Sequence, residues 1–244
     1  EETLKENKDT KIVAFVHAET STGVKSDPEA LTKLAHEYGC LSIVDTVTGL
    51  AGIPLMVDEW GIDAIYSGTQ KCLSASPGLS PISFSNNAKD KIKKRKTKVK
   101  SWFHDLNLIM SYWEGEGARS YHHTAPINAL YGLHEALVIL EEEGIENSWK
   151  RHYDNHILLR DGLEEIGINF LVNKEDRLPQ LNTIFIPDGV NDAEVRSKLL
   201  NEYNLEIGAG LGSLAGKVWR IGLMGQSSNK KNIDYCLNSI AEVI

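Results

Sequence analysis

Cysteine is scarce in this chain of 244 residues: Cys40, Cys72 and Cys236 are the only three, far apart, with no CxxC pair. An odd, scattered set excludes a disulfide framework and a cysteine-based zinc motif, and fits a reducing compartment. Long apolar runs are missing as well. None approaches the ~20 residues needed to cross a bilayer, and the opening EETLKENKDTK has no signal-peptide character. That opening reads as the end of a helix entering a strand, so the expectation is a chain that begins inside a domain. An excess of positive charge is also lacking. Thirty-four acidic against 26 basic residues give a formal charge of −8, and nothing in that balance points to nucleic acid or an anionic membrane as partner. The local exception is KIKKRKTKVK, Lys91–Lys100, where seven of ten residues are Lys or Arg. With no aromatic interleaving or base-reading motif beside it, it is expected to be a solvated helix face.

What remains, 41% hydrophobic and 25% charged, is ordinary for a soluble, intracellular globular protein with an ample core. No internal repeat or low-complexity segment interrupts it. The first half alternates apolar runs with amphipathic stretches. IVAFVH (Ile12–His17) is of strand length, Asp27-Pro28 caps and opens the helix PEALTKLAHEYG, and LSIVD, DAIYS and PISFS supply further strands. Buried-type strands alternating with helices predict an α/β fold with a mostly parallel sheet. From Ala125 the pattern changes. APINALYGLHEALVILEEEG and a stretch near Ile145–Ile166 have helical spacing. Short strand candidates follow (INFLV, LNTIFIP, LEIG, KVWRIG), with helices near Asp192–Tyr203 and Asn229–Val243, which predicts a smaller α+β domain.

Open α/β sheets bind ligands at the carboxyl ends of their strands. AETSTG follows the first strand, Asp45 closes the second and SGTQK follows the third, so neighbouring strands would bring Thr20, Asp45, Gln70 and Lys71 to one crevice. A lysine amine forms a Schiff base with an aldehyde, and pyridoxal phosphate needs that lysine together with a carboxylate at its ring nitrogen. Taken singly, Asp45 reads equally well as a helix or turn cap, and Lys71 reads more readily as a solvated surface lysine. Arg220, in KVWRIG, reads alone as an edge residue, but its guanidinium fork suits a substrate carboxylate. His122 and His123 are adjacent and lack a third ligand at suitable spacing, so no metal site is expected. GAGLGSLAG, Gly208–Gly216, offers a superficial GxGxxA, but it runs into a strand instead of opening a helix; a flexible loop near the substrate mouth is expected instead.

Five blocks of this chain resemble one family: HAETSTGV, IVDTVTGLAGIPLMVDEWGIDAIYSGTQKCLSASPGLSPISFS, SYHHTAPINALYGLHEAL, GIENSWKRH and GKVWRIGLMG. They are similar to the alanine–glyoxylate and serine–pyruvate aminotransferases, in the class V branch of fold-type I pyridoxal-phosphate enzymes, and the resemblance covers essentially the whole chain. It implies a fold-type I architecture in which residues 1–143 are the remainder of the large cofactor-binding domain and 144–244 the small C-terminal domain. It implies that Lys71 forms the internal aldimine and shuttles the α-proton, that Asp45 faces the pyridine nitrogen, that Thr20 lies near the ring and that Gln70 contacts the phosphate end. Tyr121 and Thr124 would reach the phosphate of the neighbouring subunit, making a homodimer, and Arg220 would hold the substrate α-carboxylate. The reaction implied is transfer of the amino group of alanine or serine to glyoxylate or pyruvate. A 3-hydroxykynurenine transaminase of the same family and a non-catalytic binding or dimerisation module are the alternatives. A cysteine desulfurase would need a mobile reactive thiol, and Cys72, next to the cofactor lysine, is badly placed for one. The family also implies a preceding segment of more than a hundred residues, bearing the phosphate loop and the aromatic residue that stacks on the ring. The end AEVI is no peroxisomal address, so peroxisome, mitochondrion and cytoplasm are not distinguished.

Overall fold

A computed structural model describes residues 1–113 and 120–244. The elements run α1 (Glu2–Glu6), β1 (Ile12–Val16), β2 (Ala18–Glu19), β3 (Val24–Lys25), α2 (Pro28–Glu37), β4 (Leu41–Asp45), β5 (Ala64–Tyr66), β6 (Ile82–Phe84), α3 (Asn86–Lys93), α4 (Leu106–Trp113), α5 (Ile127–Glu143) and α6 (Ile145–Glu165). They continue through β7 (Leu181–Phe185), α7 (Asp192–Tyr203), β8 (Gly208–Ala209), β9 (Val218–Gly222) and α8 (Lys230–Val243).

The first sheet has the order β1-β4-β5-β6. β1, β4 and β5 are parallel, while β6 runs antiparallel to β5, so the mostly parallel sheet has one reversed strand at its edge. Helix α2 makes the β1–β4 crossover. It starts where the sequence indicated, with the Asp27 side chain accepting from Ala30 N at 3.0 Å and Pro28 in the first turn, where its missing N–H costs nothing. One buried carboxylate ties this layer together. Asp63 accepts from Ser42 N (3.0 Å), Ser85 Oγ (2.8 Å) and His36 Nε2 (2.7 Å), linking β4, the cap of α3 just after β6, and α2 to the residue before β5. The apolar core beneath is Val44, Ile62 and Ile65, with Phe15 and Trp60 against it.

The second sheet, β7-β9-β8, is antiparallel. Its core draws Leu159 and Leu163 from α6, Leu199 from α7, Ile233 and Ile240 from α8, and the fully buried Trp219 from β9. Gly162 lets α6 and α8 approach closely: a Cβ there would stand 2.3 Å from Leu237 Cδ1, so that side chain would have to move. A cleft of about 920 Å³, lined by His17 and Trp60 from the first layer and Trp149 and Arg177 from the second, lies between the two parts; Asp45, Lys71 and Arg220 do not line it.

Several local expectations are corrected. β1 is not buried throughout: its residues alternate exposed and half-buried, because the face bearing Ile12 and Val16 has no covering element among the described residues. INFLV is no strand; only Phe170 bridges to Ile184. The strand expected at LEIG is instead Gly208–Ala209. The basic stretch is helical only through Lys93, since helix α3, capped by Ser85, runs out before the remaining lysines.

Candidate active site

The site is built from the carboxyl ends of β1, β4 and β5. Val16 pairs with Asp45 and Asp45 with Tyr66, so three side chains form a row across adjacent parallel strands. The ladder continues one residue further. His17 N donates to Asp45 O at 2.8 Å and Thr46 N to Tyr66 O at 2.9 Å. Strand spacing near 4.8 Å therefore brings the three following loops side by side, an arrangement the sequence pattern allowed.

Asp45 is fixed at both oxygens. Oδ1 accepts from Val47 N at 2.9 Å, an Asx-type turn closing β4, and Oδ2 accepts from Tyr66 Oη at 2.7 Å. The same contact raises the Tyr66 hydroxyl pKa, chiefly because the phenol donates to a carboxylate.

Lys71 sits on the loop after β5. Ser67 Oγ donates to Thr46 O (3.0 Å), Thr69 Oγ1 to Ser76 O (2.7 Å), and Ala75 N to Thr69 O (3.0 Å), closing a compact turn around it. Lys71 is half-buried, and among the described residues it makes no hydrogen bond or ion pair. An amine held in a closed loop but left unpaired is available to a ligand. Gln70 is exposed, with its side chain folded back over Gly68, where a Cβ would meet Gln70 Oε1 at 2.7 Å. Cys72 is buried and within 3.4 Å of Thr48 O, and burial pushes its thiol up to about 12. That thiol is no nucleophile at neutral pH.

Arg220 comes from the other sheet. Gly208 pairs with it in register, its Nε donates to Ala209 O at 2.8 Å and its Nη1 to Thr20 O at 2.9 Å. Part of the expected substrate-mouth loop is thus strand β8, and it braces the arginine. Two of five guanidinium N–H groups are spent on carbonyls, leaving both terminal nitrogens with a hydrogen to offer a carboxylate. Thr20 meets Arg220 through its carbonyl; its hydroxyl makes no hydrogen bond among the described residues.

Tyr121 and Thr124 lie elsewhere. Their hydroxyls contact each other, Tyr121 is 63% exposed, and neither hydrogen-bonds to Asp45, Gln70 or Lys71. Between them His122 is buried, stacked on Trp102 with ring centroids 4.0 Å apart. Its Nε2 lies 3.1 Å from Trp102 O and its Nδ1 2.7 Å from His123 Nδ1.

Three supporting groups escaped the sequence reading. Tyr66 was visible only as a strand residue; its register opposite Asp45 was the missing signal. His17 is buried, its Nδ1 3.2 Å from Thr46 Oγ1 and its ring edge-on to Trp60 at 6.1 Å. Burial pushes it down to about 4, so it is neutral at physiological pH. Gly225, with φ +55°, approaches the Lys71 loop so closely that a Cβ would stand 1.8 Å from Ser74 Oγ. Arg151 Nη1 donates to Gly225 O (2.7 Å), Gly225 N donates to His152 Nε2 (2.9 Å), and Gln226 N donates to Ser74 Oγ (2.9 Å). The segment leaving β9 therefore buttresses the lysine loop.

This fold, with a lysine loop and a carboxylate on neighbouring strand ends, is that of the fold-type I pyridoxal-phosphate-dependent transferases. The chain superposes on alanine–glyoxylate aminotransferase of Nostoc sp. with a TM-score of 0.95 and 48% identity, over 99% of this chain and 63% of that one. It belongs to the Aminotransferase class-V family, which it matches over residues 1–235. Rattus norvegicus alanine–glyoxylate aminotransferase is 41% identical over 235 residues, 96% of this chain and 57% of that protein. The (S)-ureidoglycine–glyoxylate transaminase of Bacillus subtilis is 34% identical over 252 residues, 96% of this chain and 60% of that protein. The chain spans less than two thirds of the length of these relatives.

Proposed function

We propose that this chain carries the lysine, the ring carboxylate and the substrate arginine of a pyridoxal-phosphate-dependent transaminase that moves the amino group of alanine or serine to glyoxylate or pyruvate. The observation that supports it most is that Lys71, without a hydrogen bond or ion pair among the described residues, stands on the loop after β5, while the end of the adjacent strand β4 carries Asp45, locked at both oxygens. The residues present fit the cofactor. The Lys71 amine is uncommitted, and each Asp45 oxygen accepts one hydrogen bond and retains acceptor capacity for a pyridine N–H. The glyoxylate-using relatives at 34–48% identity support the same reading.

Bound pyridoxal phosphate supplies the electron sink that makes the α-proton of an amino acid acidic. The chain's residues supply the rest. Arg220 orients the amino acid by its carboxylate, Asp45 keeps a proton on the ring nitrogen, and Lys71 takes the proton from Cα. Thr20 would lie near the cofactor ring and Gln70 at its phosphate end. We place residues 1–143 in a cofactor-binding domain and 144–244 in a smaller one that carries Arg220.

Tyr121 and Thr124 complete the neighbouring site of a homodimer. Their exposure supports this, as does the exposed apolar surface around them: Trp102, Phe103, Ile127 and Tyr131 are 51–74% exposed, and no residue of α5 is buried.

The test is the visible spectrum of the full-length protein with pyridoxal phosphate, followed by borohydride reduction and peptide mapping. A bleaching band with the adduct on Lys71, absent in Lys71→Ala, carries the proposal. No adduct on Lys71 overturns it. Alanine, serine, (S)-ureidoglycine and 3-hydroxykynurenine, compared as donors by single-turnover bleaching, then rank the substrates.

A further inference from the structure

We infer that Tyr66 is a positioning residue for Asp45, holding the carboxylate in the one plane that meets the pyridine nitrogen of the cofactor. The inference rests on the transaminase reading above and adds a residue to it.

The geometry is specific. An aspartate carboxylate turns through a broad, nearly two-fold χ2 well, so a single hydrogen bond leaves its plane poorly set. Asp45 has two, one on each oxygen, from different segments. The Val47 amide, in the turn just after β4, donates to Oδ1, and the Tyr66 hydroxyl, at the end of β5, donates to Oδ2. Tyr66 is the in-register neighbour of Asp45 on a parallel strand, so the two side chains leave the sheet on the same face. The phenol is not there for packing, since it is 41% exposed. An exposed tyrosine that spends its hydroxyl on a charged acceptor at 2.7 Å has an electrostatic use, not a core one. Tyr66 also immediately precedes Ser67-Gly68-Thr69-Gln70-Lys71. The residue that clamps the carboxylate therefore begins the loop that presents the amine, and each fixes the position of the other.

Tyr66→Phe keeps the ring and removes the one donor. In the full-length protein it should weaken pyridoxal-phosphate binding about tenfold, read by tryptophan fluorescence titration, the loss expected for a hydrogen bond to a charged group. It should lower kcat for alanine while leaving KM within about twofold, because Arg220 and not Asp45 holds the amino acid. In an Asp45→Ala background the same Tyr66→Phe change should leave the cofactor Kd unaltered, since nothing is left to position. Equal weakening in both backgrounds would mean that Tyr66 merely supports the fold, and would overturn the inference. An unchanged Kd in the single variant, with Lys71 still labelled by borohydride reduction, would overturn it while sparing the transaminase reading. Wild-type protein that gives no Lys71 adduct removes both.

Discussion

At the scale of single residues, the proposed site sets Lys71 beside groups that are tightly tied down. Lys71 is unpaired among the described residues, whereas Asp45 is clamped twice and His17 is held neutral by burial. Replacing Asp45 with Ala should leave Lys71 able to react with the cofactor but lower kcat on the order of 100-fold, the typical size of a lost preorganised charge; rapid-mixing spectra separate the two. His17 gives a pH prediction. Its folded pKa lies near 4 against an ordinary 6.5, so the unfolded chain binds the extra proton between those values. Stability is then full above pH ~6.5 and declines as pH falls toward 4, by about 3 kcal/mol from this group. His152 and His156 are lowered in the same direction, again by burial first, and steepen the same limb. Urea unfolding at pH 7.5 and 5 should show the difference between the two pH values shrink in His17→Gln.

Elements matter here through their ends. Helix α2 begins at a sequence-encoded cap, and Asp27→Ala should cost about 1 kcal/mol without touching the cofactor site, measurable as a lower urea midpoint with unchanged slope. The turn after β9 carries more consequence. Gly225 has positive φ and no room for a Cβ against Ser74 Oγ and Cys72 O, so Gly225→Ala must displace either that turn or the lysine loop. It should weaken cofactor binding even though Gly225 lies well outside the loop; an unchanged cofactor Kd in a folded variant would show the buttress to be idle. Strand signals in the sequence were legible where the hydrophobic period was long and bounded, as in Leu41–Asp45. They failed at INFLV, where Ile168 and Phe170 pack into the second core while pairing is limited to the Phe170 bridge.

At the scale of the molecule, the proposed site draws on two sheets, with Asp45 and Lys71 on the strand end and loop of the first and Arg220 on the second. Ser148 Oγ donating to Ala51 O and Gln180 Nε2 donating to Thr48 O, both buried, pin the parts together. The exposed apolar residues Trp102, Phe103, Ile127 and Tyr131 predict self-association. Sedimentation of the full-length protein should give a dimer, and Ile127→Asp with Tyr131→Asp should shift it toward monomer; an unchanged dimer would place the interface elsewhere.

The sequence by itself determined the α/β class, the longer helices, the strands bounded by clear polar breaks and the residue types at their ends, because apolar period, caps and polar breaks are local and act over a few residues. It also carried the resemblance that named Lys71, Asp45 and Arg220. Only the tertiary structure decided that Tyr66 stands beside Asp45, that Gly225 backs the lysine loop, and that β8 braces Arg220. Those contacts join residues from 11 to 153 positions apart, and pairing register and close approach are settled by packing between elements, on which local periodicity is silent.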